Sequence, residues 1–535
     1  MSLHTKKGST MATQTSSSIM KGAFLLTMAG LIGKVMSAGY RVPLQNITGD
    51  LGFYIYQQVY PILGIALVLG LYGFPAAVSK LTAEQTEQGK VVSFQSLVVP
   101  VFLVLSILCG SLFVVGYSQA DALAEMMGDG RLSSSIQAAF ALFLVVPFLS
   151  VLRGLFQGNH MMMPTAISQI IEQLIRVVGI LMTAWCAVRT GDLYAIGRGA
   201  SLAACTGSVI AVIVLLLYVK KNRIWSNQRM KTSASYVKTM ITSGVLISLN
   251  YMLLLSLQGV DAFTLVPGLI ESGQSLHEAR VSKGVFDRGQ PLIQLGTVLA
   301  SSIALALIPS VSQKRLQNQP REMSRSIRSA IKFSFIIALG STVGLILLFP
   351  TINPLFFIDT KGTDALQWLM LVILLSSMTL TTASILQGLD HIKTTALFIL
   401  GGIVVKVLAN QLLIPLWELN GAAAASIIAV AFVFIGNIVI LGQEMNGKRW
   451  FHMPWVPVLV SISAMMLVVL AFRWVEPLFD HQRLLMLVYT LSVTCIGGMT
   501  YLGLLLKLGA FTRAEVQGLP LSRLWERLLP KGRKP

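Results

Sequence analysis

Two basic residues, Lys34 and Arg41, stand inside the first long apolar stretch of the chain. They are seven residues apart, which is two helical turns, so a helix places them on one face. Arginine binds an anionic group through a planar fork, and lysine acts on it as a point charge. The pair therefore indicates an anion-binding face. One alternative stays open for Arg41, which could instead extend to the outer membrane surface from its helix end.

A second polar segment, GVFDRGQPLIQLG, leads into another apolar stretch near residue 285. Asp287 and Arg288 are adjacent, and they fit either an ion pair at a loop edge or part of a binding site. Two glutamines one helical turn apart follow them into apolar sequence, which is typical of a cavity wall. The predicted substrate-binding residues are Lys34, Arg41, Asp287, Arg288 and Gln290.

Other polar side chains inside apolar stretches are candidates to line a cavity or to gate it. Glu172 and Arg176 share a helix face at i,i+4 spacing, which favours a structural pair that satisfies itself. Arg153 fits either an interface anchor or a cavity residue. These candidates are Arg153, Gln157, Glu172, Arg176, Gln258, Asp261 and Gln294.

Prolines inside apolar stretches free a backbone carbonyl and bend a helix. Bent helices at matching places in two halves suit a protein that rocks between inward-open and outward-open states. The candidate hinge prolines are Pro61, Pro75, Pro291 and Pro309.

The composition is that of a membrane protein. Of the 535 residues, 54% are hydrophobic and only 12% are charged, whereas about a quarter of a soluble domain is charged. Apolar windows long enough to cross a bilayer predict about fourteen transmembrane helices. The predicted spans lie near 20–44, 53–79, 93–117, 136–158, 164–188, 194–219, 236–260, 285–312, 328–350, 366–388, 394–416, 420–442, 455–475 and 484–508.

The formal net charge of +19 comes from basic residues that collect in the connections between spans. Such residues set the orientation of the protein in the membrane and contact anionic lipid head groups. We therefore expect membrane lipids as partners and no nucleic acid. The positive-inside rule places both termini in the cytoplasm. We expect a multi-pass protein of the bacterial cell membrane.

The histidines lack metal-ligand spacing, the four cysteines lie in apolar stretches, and no nucleotide-binding loop is visible. We therefore expect no metal, no cofactor and no enzymatic activity.

Part of the chain repeats. Gln157-Gly158 matches Gln387-Gly388 at an offset of 230 positions, and Thr165-Ala166 and Arg176-Val177 meet Thr395-Ala396 and Lys406-Val407 at the same offset. A helical hairpin that occurs twice indicates two related halves. The predicted organisation is a disordered N-terminus (1–19), a first lobe (20–219), a basic linker (220–235), a second lobe (236–442), two further helices (443–510) and a basic tail (511–535).

Several segments in both halves, weak singly but specific in their order, resemble the polysaccharide-export branch of the MOP exporter superfamily, with its SpoVB-like and MurJ-like flippases of Gram-positive bacteria. These segments are GFPAAVSK (73–80), RGLFQG (153–158), SQIIEQLIRV (168–177), LQGVDAF (257–263), DRGQPLIQLGT (287–297) and ALIPSVS (306–312). The resemblance implies an all-α fold of two pseudo-symmetric six-helix lobes around a central cavity, plus two C-terminal helices. It also implies that the basic residues of the first span and the Asp287-Arg288 pair line this cavity.

The expected function is transport by alternating access, in which a flippase moves an undecaprenyl-pyrophosphate-linked saccharide to the outer leaflet. Lipid II for peptidoglycan is one such substrate, and cell-wall synthesis proteins are possible partners. One alternative is a drug/cation antiporter of the same fold, which would favour carboxylates in its cavity. Another is a membrane-embedded glycosyltransferase or polymerase, which would need large outer loops. The predicted connections are short, apart from 262–284.

Overall fold

A computed structural model describes residues 22, 25, 26, 28–87, 93–222, 234–298, 319–445, 453–476, 482–512 and 515. These residues form helices joined by turns, with no strand among them. The chain divides into two compact units, one ending at Asp287 and one beginning at Arg288. The predicted N-terminal segment 1–19 lies outside the described residues, as do Pro309 and most of the tail.

The first unit contains twelve of the described helices. They are α1 (28–39), α2 (Arg41–Val68), α3 (Phe74–Glu87), α4 (Val99–Ser118), α5 (Ala120–Met126), α6 (Ser133–Phe140), α7 (Val146–Gly158), α8 (Met162–Thr190), α9 (Ala195–Asn222), α10 (Ala234–Tyr251), α11 (Leu253–Glu271) and α12 (Leu276–Asp287). Those of the second unit are α13 (289–298), α14 (Pro320–Phe357), α15 (Thr363–Leu369), α16 (Leu371–Gly388), α17 (Ile392–Glu444), α18 (Trp455–Arg473) and α19 (Arg483–Lys507).

Eleven helical stretches of the described chain are long and apolar enough to cross a membrane, which confirms a polytopic all-α protein. Two of them correspond to two predicted spans each, because the backbone breaks inside them. Gly49 breaks α2 with φ 67° and ψ −175°, a combination that is essentially restricted to glycine. Glu418 breaks α17 with φ 48° and ψ −125°. The predicted span 285–312 is only partly described.

Two expectations for the middle of the chain were wrong. The predicted seventh span, 236–260, is not one helix, because α10 ends at Tyr251 and α11 begins at Leu253. Residues 262–284, expected as a long loop, belong mostly to α11 and α12. Both helices are packed in the first unit. The division into six-helix lobes at residues 220–235 stays a prediction.

The first copy of the predicted hairpin joins α7 to α8. Helix α7 ends at Gly158, and α8 begins at Met162. Between them, His160 takes a positive φ of 59°. The N–H of Met161 donates to the carbonyl of Phe156 at 2.8 Å, which satisfies a carbonyl of the last helical turn.

The second copy has the same local geometry 230 positions later. Helix α16 ends at Gly388, α17 begins at Ile392, and Asp390 between them has φ 69°. The N–H of His391 donates to the carbonyl of Leu386 at 2.8 Å. The two hairpins therefore match in helix ends, backbone conformation and hydrogen bonding at the predicted offset.

Glycines four residues apart bring α7 against α3, so the segments RGLFQG and GFPAAVSK pack together. A Cβ on Gly154 would lie 2.4 Å from Cβ of Val78. A Cβ on Gly158 would lie 2.4 Å from Cβ of Thr82 and 2.7 Å from the carbonyl oxygen of Ser79. Small residues at this spacing let membrane helices approach closely.

We expect Gly158→Ala to lower the stability of the protein by about 1–3 kcal/mol, because the added methyl group forces α3 and α7 apart. Thermal unfolding in detergent measures this. Gly110→Ala in α4 is the matched control, since a Cβ there has no atom within 4 Å. Equal melting temperatures for both variants would contradict the packing described for Gly158.

Candidate functional site

Arg41 begins the long helix α2 and is only 1% exposed. Its guanidinium group lies over the ring of Tyr60, 4.3 Å from the centroid. Beside it, the hydroxyl groups of Tyr40 and Tyr56 form a hydrogen bond with each other. Within the described chain, the Nε and Nη2 atoms of Arg41 are buried without a hydrogen-bond partner. A buried cation with unused donors is a strong candidate for binding an anion.

Lys34 lies half-buried in α1, on the helix that precedes Arg41. Its neighbour Gly33 faces α8, because a Cβ there would lie 3.7 Å from Nε2 of Gln169. Gly30, one turn earlier, faces the same amide. Helix α1 therefore runs beside the polar face of α8, which carries the predicted residues Glu172 and Arg176.

The predicted pairing of Glu172 with Arg176 was wrong. Glu172 is bound instead by Arg153, whose Nη2 lies 2.7 Å from Oε2. The other carboxylate oxygen, Oε1, accepts from Oγ of Ser208 at 2.9 Å. Arg153 also donates from Nε to Oγ of Ser168 at 3.3 Å. The pair thus joins α7, α8 and α9, while Arg176 bonds to the side-chain oxygen of Gln173.

A π-helical turn at Leu69–Gly73 leaves a backbone carbonyl that Arg153 binds. The N–H of Phe74 bonds to Leu69, five residues back. The next bond in this pattern would run from residue 75 to the carbonyl of Gly70, but Pro75 has no N–H. Instead, Nη1 of Arg153 donates a hydrogen bond to the carbonyl oxygen of Gly70 at 3.3 Å. The predicted hinge proline is therefore stabilised by a buried guanidinium group.

Because Arg153 and Glu172 are both buried, we expect Arg153→Met or Glu172→Met alone to lower stability by about 3–5 kcal/mol. Each single change leaves one unpaired buried charge. The double change should cost less than either, since two apolar side chains then replace the ion pair. Thermal unfolding of the three variants tests this. Additive losses would contradict the coupling.

Of the two interpretations of Asp287 and Arg288, the ion pair between them was wrong, because each has a different ion-pair partner. Asp287 is bound by Lys283, one turn earlier in α12, at 2.5 Å. Arg288 is bound through both Nη atoms by Asp359, at 2.6 and 3.1 Å. Burial opposes the ionisation of Asp359, but the bonds from Arg288 and from the N–H of Lys361 hold its pKa below the ordinary value.

The other predicted residues differ in burial. Asp261, Gln290 and three of the hinge prolines are buried, whereas three glutamines are half-buried. The buried ones are Pro61, Pro75, Asp261, Gln290 and Pro291, and the half-buried ones are Gln157, Gln258 and Gln294. Sequence reasoning missed Lys283, although its i,i+4 spacing from Asp287 was a usable signal.

A second buried network, not predicted from the sequence, centres on Asp129 in the turn after α5. Its carboxylate is bound by Arg280 of α12 at 3.0 Å and accepts from the hydroxyl of Tyr194 at 2.6 Å. The N–H of Arg131 and the hydroxyl of Tyr54 also donate to it, at 3.2 and 3.4 Å. Burial and the bond to Asp129 raise the pKa of Tyr194 to about 12.

A family model described as "Polysaccharide biosynthesis protein" matches residues 19–315. The chain is 36% identical over 513 residues to the "Uncharacterized membrane protein YabM" of Bacillus subtilis (strain 168), covering 94% of this chain and 95% of that protein. It is 25% identical over 545 residues to the "Lipid II flippase MurJ" of the same organism, covering 94% and 98%. These similarities confirm the resemblance to the polysaccharide-export branch of the MOP superfamily.

Solved structures agree on the fold. An inward-facing multidrug resistance MATE family transporter of the MOP superfamily matches with a TM-score of 0.63 and 15% identity, covering 78% of this chain and 96% of that one. A structure of the lipid II flippase MurJ in an inward closed conformation matches with a TM-score of 0.61 and 13% identity, covering 89% and 98%. The MATE/MurJ-like fold class is thereby confirmed.

Proposed function

Because this chain belongs to the polysaccharide biosynthesis protein family, we propose that it is a flippase for an undecaprenyl-pyrophosphate-linked cell-envelope precursor. It moves the head group from the inner to the outer leaflet by alternating access. Lipid II or a related lipid-linked oligosaccharide is the substrate, and the lipid tail stays in the bilayer while the head group crosses.

Arg41 is the observation that carries this proposal. A fully buried guanidinium group in a membrane helix, with unpartnered N–H donors among the described residues, is costly unless an anion binds it. A pyrophosphate fits this requirement, because its oxygens accept charge-assisted bonds from a guanidinium fork. Lys34, two turns earlier, adds a point charge on the same stretch.

The antiporter alternative is less well supported, because a drug/cation carrier needs carboxylates available to its substrate. In the first unit, Glu172 and Asp287 are each bound by a cation of the protein, Arg153 and Lys283. The glycosyltransferase alternative needs large outer loops, and the longest predicted one is mostly helical.

Depletion of the protein in a strain that lacks related flippases tests the proposal. We expect one undecaprenyl-pyrophosphate-linked precursor to accumulate in the inner leaflet, and mass spectrometry of the extracted lipids identifies its head group. Re-expression of the wild-type chain should restore the normal level. Unchanged amounts of every such precursor would contradict the proposed function.

We further propose that the protein lies in the bacterial cell membrane with both termini in the cytoplasm, since the basic connections favour that side. In a cysteine-free background, Glu125→Cys should react with an impermeant maleimide in intact cells. Trp225→Cys should react only after the membrane is permeabilised. Labelling of both in intact cells would contradict this topology.

A further inference from the structure

Arg176 of α8 is a basic side chain that the ion pairs of the first unit do not use. Glu172, one turn away, is bound by Arg153 and Ser208. Nη2 of Arg176 donates to the side-chain oxygen of Gln173. The amide nitrogen of Gln173 therefore points away from Arg176 Nη2. Within the described chain, Nη1 of Arg176 and Nε2 of Gln173 are buried without a hydrogen-bond partner.

These two donors belong to the same neighbourhood as Arg41. Tyr60, whose ring lies under the guanidinium group of Arg41, and Val177, the residue after Arg176, pack against one apolar cluster. Tyr40 also packs in one apolar cluster with Ile180, one turn beyond Arg176. The part of α8 that carries Gln173 and Arg176 therefore packs beside the part of the chain that carries Arg41.

Two guanidinium groups that border one apolar cluster are poorly screened from each other, so an anion that reaches both is favoured. Among the described residues, neither Arg41 nor Arg176 takes part in an ion pair with a carboxylate. The unused atoms, Nε and Nη2 of Arg41, Nη1 of Arg176 and Nε2 of Gln173, are all hydrogen-bond donors. A ligand that satisfies them must present several acceptor oxygens and about two negative charges.

We propose that Arg176 and Gln173 form the second half of an anion cradle whose first half is Arg41, and that the cradle selects a lipid diphosphate over a lipid monophosphate. This inference rests on the proposed function and narrows it. Each guanidinium group of the cradle takes one phosphoryl group. A monophosphate engages only one of them, so it leaves the other cation uncompensated.

Binding of undecaprenyl pyrophosphate and of undecaprenyl phosphate to the purified full-length chain tests the proposal. We expect the wild type to bind the diphosphate at least tenfold more tightly. Arg176→Ala should lose most of that preference, with little change in monophosphate affinity. Arg176→Lys should retain part of it, because a point charge remains after the planar fork is lost. Gln173→Leu should reduce it by a smaller factor.

Arg189→Ala is the matched control, because Arg189 belongs to the same helix but is exposed and stacks on Trp185 at 3.6 Å. It should keep the wild-type preference. Should Arg176→Ala fail to fold, Arg176→Lys and Gln173→Leu still decide the question.

If folded variants at position 176 keep the wild-type preference for the diphosphate, the cradle is overturned but the flippase proposal stands. Equal loss for both lipids also overturns it, because a merely structural role would act on both. A wild-type chain that binds neither lipid overturns the cradle and the proposed function together.

Discussion

Arg41→Ala should abolish transport while folded protein in the membrane remains near the wild-type level. The guanidinium group makes no hydrogen bond through Nε or Nη2 among the described residues, so its removal leaves few partners unsatisfied. Its burial without an ion pair costs free energy, which an apolar side chain does not. We therefore expect the melting temperature of Arg41→Met to equal or exceed that of the wild type.

Accumulation of the lipid-linked precursor in cells and thermal unfolding in detergent measure the two effects separately. Arg41→Lys should restore part of the transport, since the charge remains but the bidentate geometry is lost. An Arg41→Ala protein that transports at the wild-type rate would refute the role of this residue. One that unfolds readily would show instead that Arg41 supports the fold.

Asp129→Ala should lower the stability of the protein by about 3–5 kcal/mol, because it removes a fully buried carboxylate and leaves Arg280, whose side chain is only 15% exposed, without its ion-pair partner. The change also removes the acceptor of Tyr194 and of the Arg131 N–H. Arg280→Ala should lower the stability by a similar amount, since it leaves the buried carboxylate of Asp129 without its ion-pair partner. The double variant should lose less than the sum of both.

The chain offers an exposed ion pair as control. Arg198 and Asp192 lie 3.0 Å apart, with side chains 49% and 50% exposed. Exposed pairs contribute little because water screens them, so Arg198→Ala should change stability by less than about 1 kcal/mol. Similar losses of stability for Arg198→Ala and Arg280→Ala would contradict a stabilising role of the Asp129 network.

The helical architecture and the repeated hairpin were predictable because both depend on local sequence. A window of about twenty apolar residues indicates a membrane helix by itself. The hairpin conformation was also predictable at the offset of 230, since the QG pair ends α7 and α16 at Gly158 and Gly388. Local signals of this kind do not need knowledge of the tertiary packing.

The ionic partners were not predictable, because tertiary packing decides among several cations within reach. Glu172 could pair with Arg176 on its own helix, but α7 brings Arg153 closer. Arg288 has an acidic neighbour in sequence and still binds Asp359, 71 positions away. The Asp129 network joins residues from four distant parts of the first unit, which no spacing rule connects.

The π-helical turn at Leu69–Gly73 also sets the rotational phase of everything that follows it in the helix. An α-helix turns by about 100° per residue, so one additional residue in a turn rotates the next segment by about that angle. Without the wide turn, the face of α3 that carries Val78 and Thr82 would point away from Gly154 and Gly158. One additional residue in this turn thus determines which surface of α3 meets α7, and Arg153 binds the Gly70 carbonyl that the turn and Pro75 leave free.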